Sequence, residues 1–182
     1  MVISVFAAGI AFSGSAAADR SSATQGPASD GVLTVAADGS AEFETIQAAI
    51  DHGDSSDIVR VESGTYDESV TIDTEGLTLQ GADGASPTII GQSSITVTST
   101  APNVEIADLR IKNPDGSRAV RVTDNATGVV IQNNTVANVN TNNNADQPRG
   151  IVVGGLDGGD SADGLEIRNN TVTNVEGGAA DE

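Results

Sequence analysis

The sequence predicts an all-β chain, a stack of parallel β-helix coils closed at its N-terminal side by one amphipathic helix. Three observations predict it. Segments Asn103–Asn113, Gly128–Asn138 and Gly164–Asn174 align without gaps, and a weaker fourth copy opens at Gly76-Leu-Thr-Leu-Gln80. Within each copy apolar and polar residues alternate, the period of a strand with one buried face. The copies start at residues 76, 103, 128 and 164; each is too short to bury its apolar face alone, and stacking in parallel buries them all at about 4.8 Å per coil.

Read down the copies, the pattern is one of columns. Leu77, Val104, Val129 and Leu165 share a position, and Leu79, Ile106, Ile131 and Ile167 share the next but one. Ile111, Val136 and Val172 form a third apolar column, and Asn113, Asn138 and Asn174 a polar one. Asn134 and Asn170, with Leu109 in the same slot, are expected at tight corners. There Asn tolerates a left-handed backbone and can bond its counterpart one coil away. Leucine-rich repeats and calcium-binding nonapeptide repeats need other periods, and a β-sandwich would not give gapless columns at this interval.

Taken in order, residues 1–18 are uncharged and end in Ala16-Ala17-Ala18 ahead of Asp19-Arg20. They read as a secretory signal peptide lacking its basic n-region, so the start is expected to lie inside a longer signal. Gly9, Ser13, Gly14 and Ser15 interrupt a run already near the minimum for a membrane span. No span is therefore expected in the mature chain. Residues 19–31, rich in Ser, Ala, Gly, Pro and Asp, read as a linker. The coils and their cap occupy residues 32–175. Phe43, Ile46 and Ile50 recur at three and four, which predicts a helix stopped by Gly53. Ile58–Val61 and Val70–Ile72 then start the coils. Thr88–Ile90, Ile95–Thr98, Ala119–Val122 and Gly150–Val153 are further strands between the copies. Residues 176–182 form a tail without a closing helix or polar strand. The reading is therefore of a truncated chain, or of one that self-associates through its open C-terminal coil.

Acids outnumber bases 26 to 8, for a net charge of −18, with Asp in excess of Glu and Lys112 the only lysine. That field disfavours nucleic acid and anionic membranes. The acids are scattered singly along apolar-periodic segments, so the charge reads as adaptation to high salt, which screens the repulsion within a few ångströms. The composition resembles proteins of extreme halophiles and implies a haloarchaeal source. Cysteine is absent and His52 is the single histidine, which removes thiolate chemistry and argues against a His-rich metal site or a Ser-His-Asp triad.

Asp38-Gly39-Ser40, Phe43-Glu-Thr-Ile-Gln-Ala-Ala-Ile50, Gly64-Thr-Tyr66 and Glu68-Ser-Val-Thr-Ile72 resemble the N-terminal block of pectin methylesterases and related pectin-lyase-like proteins. The Ile-x-Asn-Asn-Thr-Val copies resemble the β-helix family that includes the periplasmic copper-binding accessory proteins of nitrous-oxide reductase. The resemblance covers about residues 35–175 and implies a right-handed, single-stranded solenoid. It carries cap and core, not chemistry. The esterases' Gln-Asp-Thr-Leu and Asp-Phe-Ile-Phe-Gly strings do not occur. Arg110-Ile-Lys112 and Asn113-Pro-Asp-Gly116 match fragments of polygalacturonase motifs out of order, and the Asp-Asp and Gly-His-Gly elements are missing. Lyases need a basic residue beside clustered carboxylates. Arg110, Arg118, Arg121 and Arg168 are candidates for one outer face, yet Asp108 is the only acid in a column otherwise holding Gly81, Asn133 and Asn169.

Two lesser signals remain. Asp157, Asp160 and Asp163 in the longest interval between copies are the candidate calcium ligands, although their spacing of three is not that of an EF-hand loop. Asn125, in an Asp-Asn-Ala-Thr turn, is the candidate glycosylation site. The expectation is a secreted or cell-surface module, non-catalytic as it stands, contacting polysaccharide or cell-envelope glycan, with calcium as the only cofactor candidate. The competing expectation is a pectinesterase or polysaccharide lyase whose catalytic coils are missing or unrecognised.

Overall fold

A computed structural model describes residues 31–91, 93–98, 100–123, 126–141, 148–154 and 163–177. After β1 (Val32–Val35) and α1 (Ile46–His52), strands follow in threes. They are β2 (Ile58–Val61), β3 (Thr65–Asp67) and β4 (Val70–Ile72), then β5 (Thr78–Gly81), β6 (Thr88–Ile90) and β7 (Ser93–Val97). Next come β8 (Glu105–Ala107), β9 (Arg110–Asn113) and β10 (Arg118–Val122), then β11 (Val130–Gln132), β12 (Thr135–Thr141) and β13 (Arg149–Val153). β14 (Glu166–Arg168) and β15 (Thr171–Gly177) complete the series.

These strands form three sheets, parallel throughout. Sheet I runs β1-β2-β5-β8-β11-β14, sheet II β3-β6-β9-β12-β15 and sheet III β4-β7-β10-β13. The chain visits I, II and III in rotation, and each strand pairs with its counterpart one pass earlier and later. Register holds in the expected columns: Leu79, Ile106, Ile131 and Ile167 are successive partners in sheet I. The Ile111–Val136–Val172 column extends back through Ile89 to Tyr66 in sheet II. Sheet III stacks Val70, Ile95, Val120 and Ile151. Most inward apolar side chains of all three sheets belong to one cluster, Val153, Ile167 and Val172 excepted. Each full burial of a Val, Leu or Ile contributes roughly 1.5–3 kcal/mol. The columns lose cover at the C-terminal end of each sheet, where Val153 is 36%, Ile167 48% and Val172 47% exposed.

The corners leading into sheet I and from sheet I into sheet II carry left-handed residues, themselves in columns. Ser56, Gly76, Asn103, Gly128 and Gly164 all have positive φ. The N–H of each of the first four donates to the carbonyl just before the next, as Gly128 N does to Asp163 O at 2.8 Å. Asp108, Asn133 and Asn169, at φ of 57°, 56° and 55°, form the second column. Asx side chains tolerate that region best after glycine.

The Asn columns divide differently from the expectation. At 133–134 and 169–170 the first Asn takes the left-handed backbone, and the second turns its side chain against the preceding pass. Asn134, 1% exposed, accepts from Leu109 N at 3.0 Å and donates to Ile106 O at 2.9 Å. Asn170 donates to Ile131 O at 2.7 Å and accepts from Asn134 N at 2.9 Å. Asn113 does not stack on Asn138. A bulge between Ala137 and Val139 sets Asn113 opposite Val139, and Asn113 is fully buried. Asn138, left-handed at φ 55°, instead pairs with Asn174, whose Nδ2 donates to Asn138 Oδ1 at 3.1 Å.

The helix also starts later than its apolar spacing predicts. Phe43 lies before it, in a parallel bridge with Val35, and its ring sits 5.4 Å from that of His52. Thr45 is the N-cap, its side chain accepting from Ala48 N. Glu68, from the loop between β3 and β4, accepts from Ile46 N at 2.8 Å and Gln47 N at 3.0 Å. Those are orphan donors of the first turn, where a carboxylate is favoured. Ile46, Ala49 and Ile50 are buried, and α1 packs on β1, β2 and β4. Gly53 ends α1 with ordinary extended backbone; a Cβ there would sit 3.2 Å from Leu33 Cδ1.

Candidate functional site

With the inward columns committed to the core, chemistry is left to the outer faces and the corners. On sheet I the outward positions of the last three passes form one hydrogen-bonded patch. Gln132 sits between Glu105 one pass earlier and Arg168 one pass later. Its Nε2 donates to Glu105 Oε1, and its Oε1 accepts from Arg168 Nε at 2.8 Å. Arg168 Nη1 then reaches Glu166 Oε2 at 2.8 Å, the only ion pair among the described residues. Both partners of that pair are more than half exposed, so the contact orients the groups and contributes little to stability. The two carboxylates are thus separated by an amide and a guanidinium instead of facing each other.

Two shallow depressions lie elsewhere. One, about 240 Å³, is lined by Ala85, Ser86, Asp108, Leu109, Arg110, Asn133 and Thr135, at the corner where sheet I passes into sheet II. It brings one carboxylate and one guanidinium to a common surface. The other, about 330 Å³, is lined by Pro114, Asn138, Asn140, Asn174 and Glu176 on sheet II.

The four arginines considered for one outer face are divided among three sheets. Arg168 is in sheet I, Arg110 in sheet II, and Arg118 and Arg121 in sheet III. The corners intervene between them, and periodicity along the chain does not register that rotation. The signal that finds the sheet I patch is the polar partner of each apolar column: Glu105, Gln132 and Arg168 all neighbour the Ile106–Ile131–Ile167 column.

Of the candidate calcium ligands, Asp157 and Asp160 lie outside the described residues, as does Asn125. Asp163 is described: its side chain is exposed, and its carbonyl is taken by Gly128 N. Among the described residues no group of three or more His, Asp or Glu side chains gathers for a metal ion. No described helix is long and apolar enough to cross a membrane. Asp38-Gly39-Ser40 is a turn. The Asp38 carboxylate accepts from Ser40 Oγ at 2.6 Å and Ser40 N at 3.0 Å, which holds it below its ordinary value. Tyr66 O–H contacts the carbonyls of Glu62 and Val35, and burial pushes the phenol above its ordinary value.

No family model, curated protein or solved structure matches this chain.

Proposed function

We propose that the three sheets are the walls of a right-handed, single-stranded parallel β-helix of the pectin-lyase-like kind. The protein acts as a secreted or cell-surface, salt-adapted module that holds polysaccharide or cell-envelope glycan without turning it over. The Glu105–Gln132–Arg168–Glu166 patch carries this reading. It offers carboxylate, amide and guanidinium groups on consecutive strands of an outer face, the donors and acceptors a chain of hydroxyls needs. The rotation of strands through three parallel sheets and the helix packed at their N-terminal side support that architecture. The net charge of −18 supports the salt-adapted part. A glycan array probed at molar NaCl tests it. Binding that falls on Gln132→Ala or Arg168→Gln is expected; no binding to any polysaccharide overturns it.

One observation favours an enzyme instead. Asp108 and Arg110 share the smaller depression, the pairing of carboxylate and cation that a carbohydrate esterase or lyase requires. Turnover of methyl-esterified or de-esterified pectin, with or without calcium, that is abolished by Asp108→Ala would replace the module reading.

A further inference from the structure

We propose that sheet III carries a binding site for a tetrahedral oxyanion, centred on Arg118 and Arg149. The register of β10 and β13 makes these two residues direct partners, so their side chains leave the backbone one strand spacing apart, about 4.8 Å. Arg121 stands three residues along β10, between the buried Val120 and Val122. All three arginines are half-buried. None forms an ion pair with an acid among the described residues. The columns they occupy hold no acid either: Arg121 is partnered by Thr96 and then Thr71, and Arg118 by Ser93.

Like charges in directly paired positions repel. This chain has only 8 basic residues against 26 acids, yet three of the bases sit on two adjacent strands with no ion-pair partner among the described residues. A bound anion removes the repulsion. Guanidinium forks suit a sulfate or phosphate group, because each can present two parallel N–H donors to two oxygens. The Thr96 and Thr71 hydroxyls continue the polar track away from the arginines. The site lies on a different sheet from the Glu105–Gln132–Arg168 patch and stands or falls apart from it. The oxyanion is either a free ion or an ester group carried on a polymer.

The test is sodium sulfate titrated into the full chain at constant ionic strength, with chloride as the balancing anion. Arginine Nε–Hε signals are followed by NMR. Saturable shifts at Arg118 and Arg149 are expected, with affinity reduced roughly tenfold or more in the R118Q/R149Q pair and unchanged in K112Q. R149K keeps the charge and loses the fork, so it should also weaken binding. Without sulfate, R149Q should melt no lower than the parent chain, since it removes a repulsion. Retention on dextran sulfate but not dextran, lost in R118Q/R149Q, assigns the site to a polymer-borne ester. Sulfate saturation without that retention assigns it to a free ion. Shifts that never saturate, or that K112Q weakens as much as R149Q does, reduce the effect to charge screening and overturn the proposal.

Discussion

The Asn170 side chain closes two hydrogen bonds on Asn134: its Oδ1 accepts from the Asn134 backbone N–H at 2.9 Å and from Asn134 Nδ2 at 3.1 Å. Asn134 repeats the first of these contacts one pass earlier, on the Leu109 N–H. The corner between sheets I and II is thus held by side-chain amides standing in for a backbone ladder. Asn134→Ala should strand the Leu109 N–H inside the stack and remove the side-chain donor to the Ile106 carbonyl, at a cost of roughly 2 kcal/mol. Asn170→Ala, at a half-exposed position where water can substitute, should cost less. Denaturant midpoints in molar NaCl check the order.

Glu68 ties the helix to the strands. Glu68→Ala should lower stability by about 1 kcal/mol, since it removes two acceptors and a charge from the first turn of α1. Glu68→Gln should cost less, and the difference between the two should shrink as salt rises. Hydrogen exchange at the Ile46 and Gln47 amides is the local readout, and both should exchange faster in Glu68→Ala.

Tyr66 sets an alkaline limit. Burial raises its folded-state value, so the fold favours the neutral phenol. Its contribution is complete below the unfolded value of about 10 and is lost as pH climbs through the raised folded one. Tyr66→Phe should flatten the decline in stability above pH ~10 while costing about 1 kcal/mol at neutral pH for the lost hydrogen bonds. Urea unfolding across the alkaline range separates the two effects.

Gly81 is fixed by what lies over it. A Cβ there would run into the Asp108 carbonyl oxygen, a backbone atom that cannot swing aside, and would sit 3.3 Å from Pro87 Cδ. Gly81→Ala should therefore destabilise by about 1–3 kcal/mol through overpacking. Gly84→Ala, with positive φ but open space around it, should cost only its backbone strain. Thermal melts of the two variants test the distinction.

Much of the architecture was legible because the buried positions repeat under one constraint. Leu79, Ile106, Ile131 and Ile167 occupy equivalent places, and the chain cannot change their character without opening the core. Where a local event broke the repeat, the columns misled. The bulge at Asn138 shifts Asn113 onto Val139, so the polar column holds only for Asn138 and Asn174. Phe43 continues the apolar spacing of α1 but is taken by a bridge to Val35. β1 and β3 are short and sit beside stronger patterns, and Tyr66 reads as cap although it begins the sheet II column. The outer faces were the least readable. Solvent imposes no period on them, and the corners that send Arg110, Arg118 and Arg168 to different sheets leave no mark in residue spacing.

The one-pass separation between Gln132 and Arg168 has a consequence for any extended ligand. Equivalent outer positions recur at the strand spacing of about 4.8 Å, so each face is graduated like a ruler. A polymer whose own repeat is commensurate with those graduations stays in phase with successive passes, each of which presents its own side chain, Gln132 and then Arg168. One with a mismatched repeat drifts out of phase within a few passes. Selectivity on such a surface is a matter of periodicity as much as of any single contact.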